Sequence, residues 1–185
     1  RSPPPDRPAD RLRHDGGRRG STRLAKAGHH SGMSPSPFAD AVVVAAGSSR
    51  RMGGLDKLQL DLAGRPVLAW SVAAMRASGA VADIIVVTGP DRVAELSDQV
   101  WLQAAGARVI AGGDRRQDSV AAGVRAARAE VVLVHDGARP LVSPALVDAI
   151  ADVARQEGAA IPVLAMADSL KRLEGDRIVG IASRD

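Results

Sequence analysis

From Ala41 onward, short apolar runs alternate with amphipathic stretches. AVVV at 41–44, DIIVVT at 83–88, RVIA at 108–111, VVLV at 131–134 and AAIPVL at 159–164 read as strands. The β-branched, unbroken ones have the pattern of strands buried on both faces. Residues 66–77, 91–105, 119–129 and 144–156 read as helices between them. Pro66 suits a first helical turn, Gly79 lies past the end of that helix, and Ser143 suits the cap of the last. Strand and helix in alternation, with short connections, imply a parallel sheet with helices on both faces. The expected class is α/β, a Rossmann-like doubly wound, mostly parallel sheet. The final stretch, 168–182, alternates apolar and polar residues around Gly175-Asp176 and reads as a hairpin.

The 185 residues suit one domain with a tail. Residues 1–38 carry a net charge of +5, whereas residues 39–185 carry −1. The basic character therefore belongs to a Pro-, Gly- and Arg-rich tail too poor in apolar residues to offset chain entropy, and 1–38 is expected to be disordered. Met33 stands just ahead of the first strand, and the residues upstream of it are expected to be an extended reading frame or a linker. With one Phe, two Trp and no Tyr, a base-stacking platform is scarcely available, so nucleic acid is not an expected partner. No apolar run approaches a membrane span of about 18 residues, so no membrane partner is expected. The chain has no cysteine, which excludes disulfides, thiolate metal sites and a cysteine nucleophile and fits the expected location, a reducing cytoplasm.

Three loops follow strands and are unusually rich in glycine and charge. The first, AAGSSRRMGGLDK at 45–57, sets small residues beside Arg50, Arg51 and Lys57. Small residues let the backbone approach a ligand, and successive N–H groups in such a loop form a concave anion site. A triphosphate is the natural guest. Neither the P-loop spacing nor the dinucleotide fingerprint is present. The second loop is GGDRRQDSV at 112–120. There Asp114 and Ser119 can hydrogen-bond a base or ribose, although Asp118 or Ser119 could equally cap a helix. The third is VLVHDGARPL at 132–141. Asp136 after a buried strand suits a magnesium ligand, and the Arg139 fork suits a second phosphate. His135 reads better as a partly buried, hydrogen-bonded histidine than as a catalyst. In a sheet of this kind ligands sit outside the carboxyl ends of the strands, where all three loops can open onto one edge.

Together the three loops resemble the cytidylyltransferases that act on 2-C-methyl-D-erythritol 4-phosphate in the non-mevalonate route to isoprenoids. AAG…R-M-G…K, GG-x-x-R-x-x-SV and VLVHD-x-ARP stand here in that family's order and spacing, and the likeness runs from about Ala41 to Asp185. The resemblance implies a nucleotidyltransferase domain over 39–185 and transfer of CMP from CTP, with Mg2+ as cofactor. It implies Arg51 and Lys57 at the α-phosphate. Ala45, Ala46, Gly47 and Ser49 would wrap the triphosphate, Gly113, Asp114 and Ser119 would read the base, and Asp136 would lie near both nucleotide and metal. Arg139, Ser169 and Arg184 would bind the sugar-alcohol phosphate. It further implies a β-arm, here 165–185, that pairs two subunits into a homodimer. Two departures stand out. The family's glycine-x-glycine is Gly47-Ser48-Ser49 here, with Ser49 at its second glycine, and the chain stops within the arm, so the domain is expected to be incomplete at its C-terminus. A ribitol 5-phosphate cytidylyltransferase shares all three loops, and a non-catalytic CTP-binding fragment is the alternative from another class.

Overall fold

The computed structural model describes residues 36–47, 56–164 and 168–182. Four parallel strands form the central sheet: β1 (Ala39–Val44), β4 (Val81–Thr88), β5 (Ala107–Ala111) and β6 (Val131–Asp136), in the order β5-β4-β1-β6. A two-residue pair, β2 (Asp61–Leu62) and β3 (Arg65–Pro66), leads into α1 (Val67–Arg76). Next come α2 (Val93–Ser97), α3 (Val100–Ala104), α4 (Arg116–Ala126) and α5 (Pro144–Glu157). An antiparallel hairpin, β7 (Lys171–Glu174) and β8 (Arg177–Ile181), closes the described chain.

The unbroken apolar runs became the central strands because both of their faces are covered. Val43, Ile84 and Val86 pack with Leu68, Val72 and Met75 of α1 on one face. Val42, Ile85 and Val87 pack with Ala126 of α4 and Ala127 on the other. Gly123 lets α4 lie close: a Cβ there would stand 2.3 Å from Val42 Cγ1. At the amino end of β1 the Asp40 carboxylate, 3% exposed, accepts the Arg128 and Ala129 amides at 2.6 and 3.0 Å. That bond fixes where the chain leaves α4 for β6.

Several expectations hold closely. Ser143 Oγ accepts the Leu146 amide and caps α5. The hairpin turns at Gly175, whose φ of +58° favours glycine. Others need correction. Residues 159–164 are not a strand; Pro162 removes an N–H that a ladder would use, and an apolar run alone reports burial rather than pairing. The single helix expected over 91–105 is a 3-10 turn (Pro90–Arg92) and two short helices. Ser97 Oγ bonds the Val93 carbonyl, Gln103 Nε2 bonds the Ser97 carbonyl, and Gln99 takes an extended ψ of 116°. Such side chains compete with the helical ladder. Helix α4 starts three residues before the expected Ser119, because Asp118 reaches back to the Arg115 amide and guanidinium. Pro66 precedes α1 rather than entering it, since it pairs with Asp61.

Candidate nucleotide-binding site

Strand order puts the reversal of chain direction at β1. The path runs outward through α1 to β4 and β5, then returns through α4 to β6 on the other side. In such sheets the ligand crevice lies beyond the carboxyl ends of the strands at that reversal. Ala45–Gly47 leave β1 there, Gly112–Asp114 leave β5, and Asp136–Arg139 leave β6. Their backbones are pinned to the sheet: the Ala45 amide bonds Val87 O at 2.7 Å, Gly112 bonds Thr88 O at 2.7 Å, and Gly137 bonds Val44 O at 2.9 Å. Gly137 is buried, and a Cβ would stand 2.8 Å from Leu68 Cδ1; its carbonyl accepts the buried Ser71 hydroxyl at 2.9 Å. The third loop is thus held against α1 at Gly137.

Asp136 is the electrostatic centre. Arg116 Nη2 approaches one carboxylate oxygen at 2.5 Å and Arg139 Nε the other at 3.1 Å. The Arg116 hydrogen bond, with the charges of Arg116 and Arg139, holds this carboxyl below the usual range despite partial burial. Two of the three loops are therefore bridged by an ion pair. His135 points its Nε2 at the Arg139 carbonyl, 3.1 Å away. A carbonyl only accepts, so Nε2 carries a proton in this contact. Burial pushes the imidazole below its ordinary value. This is the hydrogen-bonded histidine expected from the sequence.

The other predicted residues divide. Lys57 is exposed where the first loop ends, between half-buried Asp56 and buried Leu58. Asp114 is exposed at the second loop. Ser119 is fully buried, and its hydroxyl bonds the Gly113 amide and carbonyl at 3.2 and 3.3 Å. Here it props the loop from beneath. The two glycines admit α4 as much as any ligand: a Cβ on Gly112 would stand 2.4 Å from Ser119 Oγ, and one on Gly113 2.6 Å from Asp118 Cβ. Ser169 is exposed just before β7. Ser49, Arg51 and Arg184 lie outside the described residues.

Arg116 was missed as a contact of Asp136, although it is the arginine of the GG-x-x-R-x-x-SV pattern and so carried a signal. No group of three His, Cys, Asp or Glu side chains is placed to hold a metal among the described residues. One carboxylate, Asp136, would suit a magnesium ion that brought phosphate and water ligands with it, as that ion prefers. A groove of about 450 Å³ runs between β6 and α5, lined by Val132, Val134, Leu146 and Ile161 among others. It follows the outer edge of the sheet and is not the crevice. Among the described residues no helix is long and apolar enough to cross a membrane.

Residues 39–185 match the model of the family described as IspD, 2-C-methyl-D-erythritol 4-phosphate cytidylyltransferase. The chain is 39% identical over 148 residues to the enzyme of that name from Cereibacter sphaeroides strain KD131, covering 78% of this chain and 66% of that one. It is 43% identical over 159 residues to the one from Frankia casuarinae, covering 81% and 57%. The crystal structure of the Thermus thermophilus enzyme superposes with a TM-score of 0.58 at 34% identity, covering 77% and 62%. That of 4-diphosphocytidyl-2C-methyl-D-erythritol synthase from Anaerococcus prevotii gives 0.66 at 25%, covering 80% and 65%. The chain spans roughly three-fifths to two-thirds of the length of these relatives. The α/β nucleotidyltransferase fold of the described residues agrees with the match, and the chain belongs to the 2-C-methyl-D-erythritol 4-phosphate cytidylyltransferase family.

Proposed function

We propose that this chain binds CTP at the carboxyl edge of β1, β5 and β6 and transfers CMP to 2-C-methyl-D-erythritol 4-phosphate. A phosphate oxygen of the sugar alcohol attacks the α-phosphorus. The bond from that phosphorus to the bridging oxygen breaks, and pyrophosphate leaves with the electron pair. The nucleophile is already an anion, so no covalent enzyme intermediate is needed. The protein's work is to hold two anions together and offset the charge that develops.

In this reading Ala45, Ala46, Gly47 and Ser49 carry the triphosphate, and Arg51 and Lys57 face the α-phosphate. Gly113 and Asp114, propped by Ser119, read cytosine. Arg139, Ser169 and Arg184 hold the sugar phosphate. Magnesium, bound through the phosphates and Asp136, would neutralise phosphate charge. The observation that supports this most directly is the Arg116–Asp136 ion pair, which joins the second and third motif loops at one sheet edge in a chain of this family. The hairpin supports pairing with a second copy: Leu173, Ile178, Val179 and Ile181 are all exposed, and an exposed apolar ribbon favours a cover.

The test is pyrophosphate release with each of the four nucleoside triphosphates, with methylerythritol phosphate or ribitol 5-phosphate as acceptor. Turnover that needs CTP and methylerythritol phosphate is expected. Preference for ribitol 5-phosphate would reassign the acceptor, and CTP binding without pyrophosphate release would make the chain a binding fragment. Sedimentation of the chain at micromolar concentration, against a Leu173→Lys, Ile178→Lys variant, tests the pairing.

A further inference from the structure

We propose that Asp56 and Arg92 are positioning residues for Lys57, acting together as a clamp that aims its ammonium at the triphosphate. The inference rests on the reading of Lys57 as a phosphate ligand given above.

The observations concern three consecutive residues. Among the described residues the Asp56 carboxylate has two partners: Oδ1 accepts the Leu58 amide at 3.0 Å, and Oδ2 pairs with Arg92 Nη1. Leu58 is 3% exposed, packs in the core with Val43 and Leu68, and its carbonyl accepts the Leu68 amide at 3.1 Å. The Asp56 carbonyl accepts the Gln59 amide at 3.0 Å. Lys57 thus stands between one neighbour tied by an ion pair and another sunk in the core.

Arg92 comes from elsewhere, 36 residues along the chain, in the 3-10 turn that follows β4. Its Nε and Nη2 lean on Glu95 at 3.5 and 3.4 Å, which directs Nη1 toward Asp56. The two paired side chains are only 22% and 29% exposed, so water screens them less than a surface pair. Since β4 neighbours β1, the clamp ties the far end of the first loop to the same sheet edge from which that loop departs. A long, flexible lysine otherwise loses affinity to the entropy of being ordered; fixing its backbone beforehand removes part of that cost.

The arrangement makes an unusual prediction of sign. Asp56 is a negative charge beside a site for anions. If it were merely nearby, removing its charge would tighten CTP binding. If it positions Lys57, removing its charge weakens binding. Asp56→Asn keeps an acceptor for the Leu58 amide and loses only the ion pair, so the local turn survives.

The experiment is calorimetric titration of the unaltered chain and its variants with CTP and Mg2+, with melting curves alongside. Asp56→Asn and Arg92→Gln are each expected to weaken CTP binding about tenfold, the scale of a coupled contact. Arg92→Lys should recover part of the loss. In a Lys57→Ala background Asp56→Asn should cost nothing further, which a purely structural role would not produce. Tighter or unchanged binding by Asp56→Asn overturns the proposal, as does an undiminished loss in the Lys57→Ala background. Failure of the unaltered chain to bind CTP, or normal binding by Lys57→Ala, overturns the reading of the site itself, and this proposal with it.

Discussion

Arg116 on the first turn of α4 and Asp136 at the end of β6 meet at 2.5 Å across the mouth of the crevice. They are 20 residues apart in sequence and belong to different motif loops. The arginine side chain is 64% exposed, so the pair should add less than about 1 kcal/mol to stability. On the proposed reading, its value lies in holding the Asp136 carboxylate in place. Arg116→Gln is therefore expected to keep the melting midpoint within about 2 °C while lowering the maximal rate of pyrophosphate release roughly tenfold. With one guanidinium gone, the carboxylate is easier for a cation to reach, so half-saturating Mg2+ should fall. A rise in the Mg2+ requirement would contradict this.

Lys57→Ala removes a preorganised positive charge from the proposed transition state. A rate loss on the order of a hundredfold or more is expected. Initial-rate measurements at saturating CTP give the answer. A rate near that of the unaltered enzyme would refute the role.

His135 gives the fold a pH dependence whose sign can be worked out. Burial depresses the pKa of this imidazole below the ordinary 6.5 in the folded state. Between 6.5 and that lower value, the unfolded chain binds the proton more readily. Stability therefore declines as pH falls through this window, and the full contribution is present above it. The melting midpoint should drop between pH 7.5 and 5.5, and His135→Gln should flatten that drop. Identical slopes for the two proteins would show that other groups set the dependence.

Gly123 sits in a helix, where alanine is normally better by about 1 kcal/mol. Here packing should win. A new Cβ would stand 2.3 Å from Val42 Cγ1 and 3.1 Å from Val87 Cγ2, both on stiff β-branched side chains. Gly123→Ala is expected to destabilise by roughly 1–3 kcal/mol, as overpacked cores do. Urea denaturation measures it, and a more stable variant would mean that α4 can shift away from the sheet.

The order of elements was legible because β1, β4 and β6 carry unbroken apolar runs, and the loops between them carry the motif residues. The cap at Ser143 and the turn at Gly175 were legible from single side chains. What escaped depends on partners distant in sequence. Nothing local in Arg92 points to Asp56, and nothing in Ser119 reveals that its hydroxyl serves the Gly113 backbone rather than solvent. The start of α4 escaped because Arg115, a poor capping residue by type, is recruited by Asp118. The apolar run at 159–164 misled because hydrophobicity does not specify a pairing edge. The contact between Arg116 and Asp136 was half legible: the motif contained the arginine, but only the fold supplies its neighbour.

Strand β1 is anchored by Asp40 at one end and releases the first loop at the other, with Val42 and Val43 locked between them. Damage at the two ends should have separable symptoms. Weakening the Asp40 anchor would loosen the exit of α4 and lower the yield of folded protein, yet leave each surviving molecule competent toward nucleotide. On the proposed reading, damage near Gly47 would spare the yield and disable the molecules. Sorting random variants by soluble amount against nucleotide occupancy would then spread this strand's substitutions along two different axes.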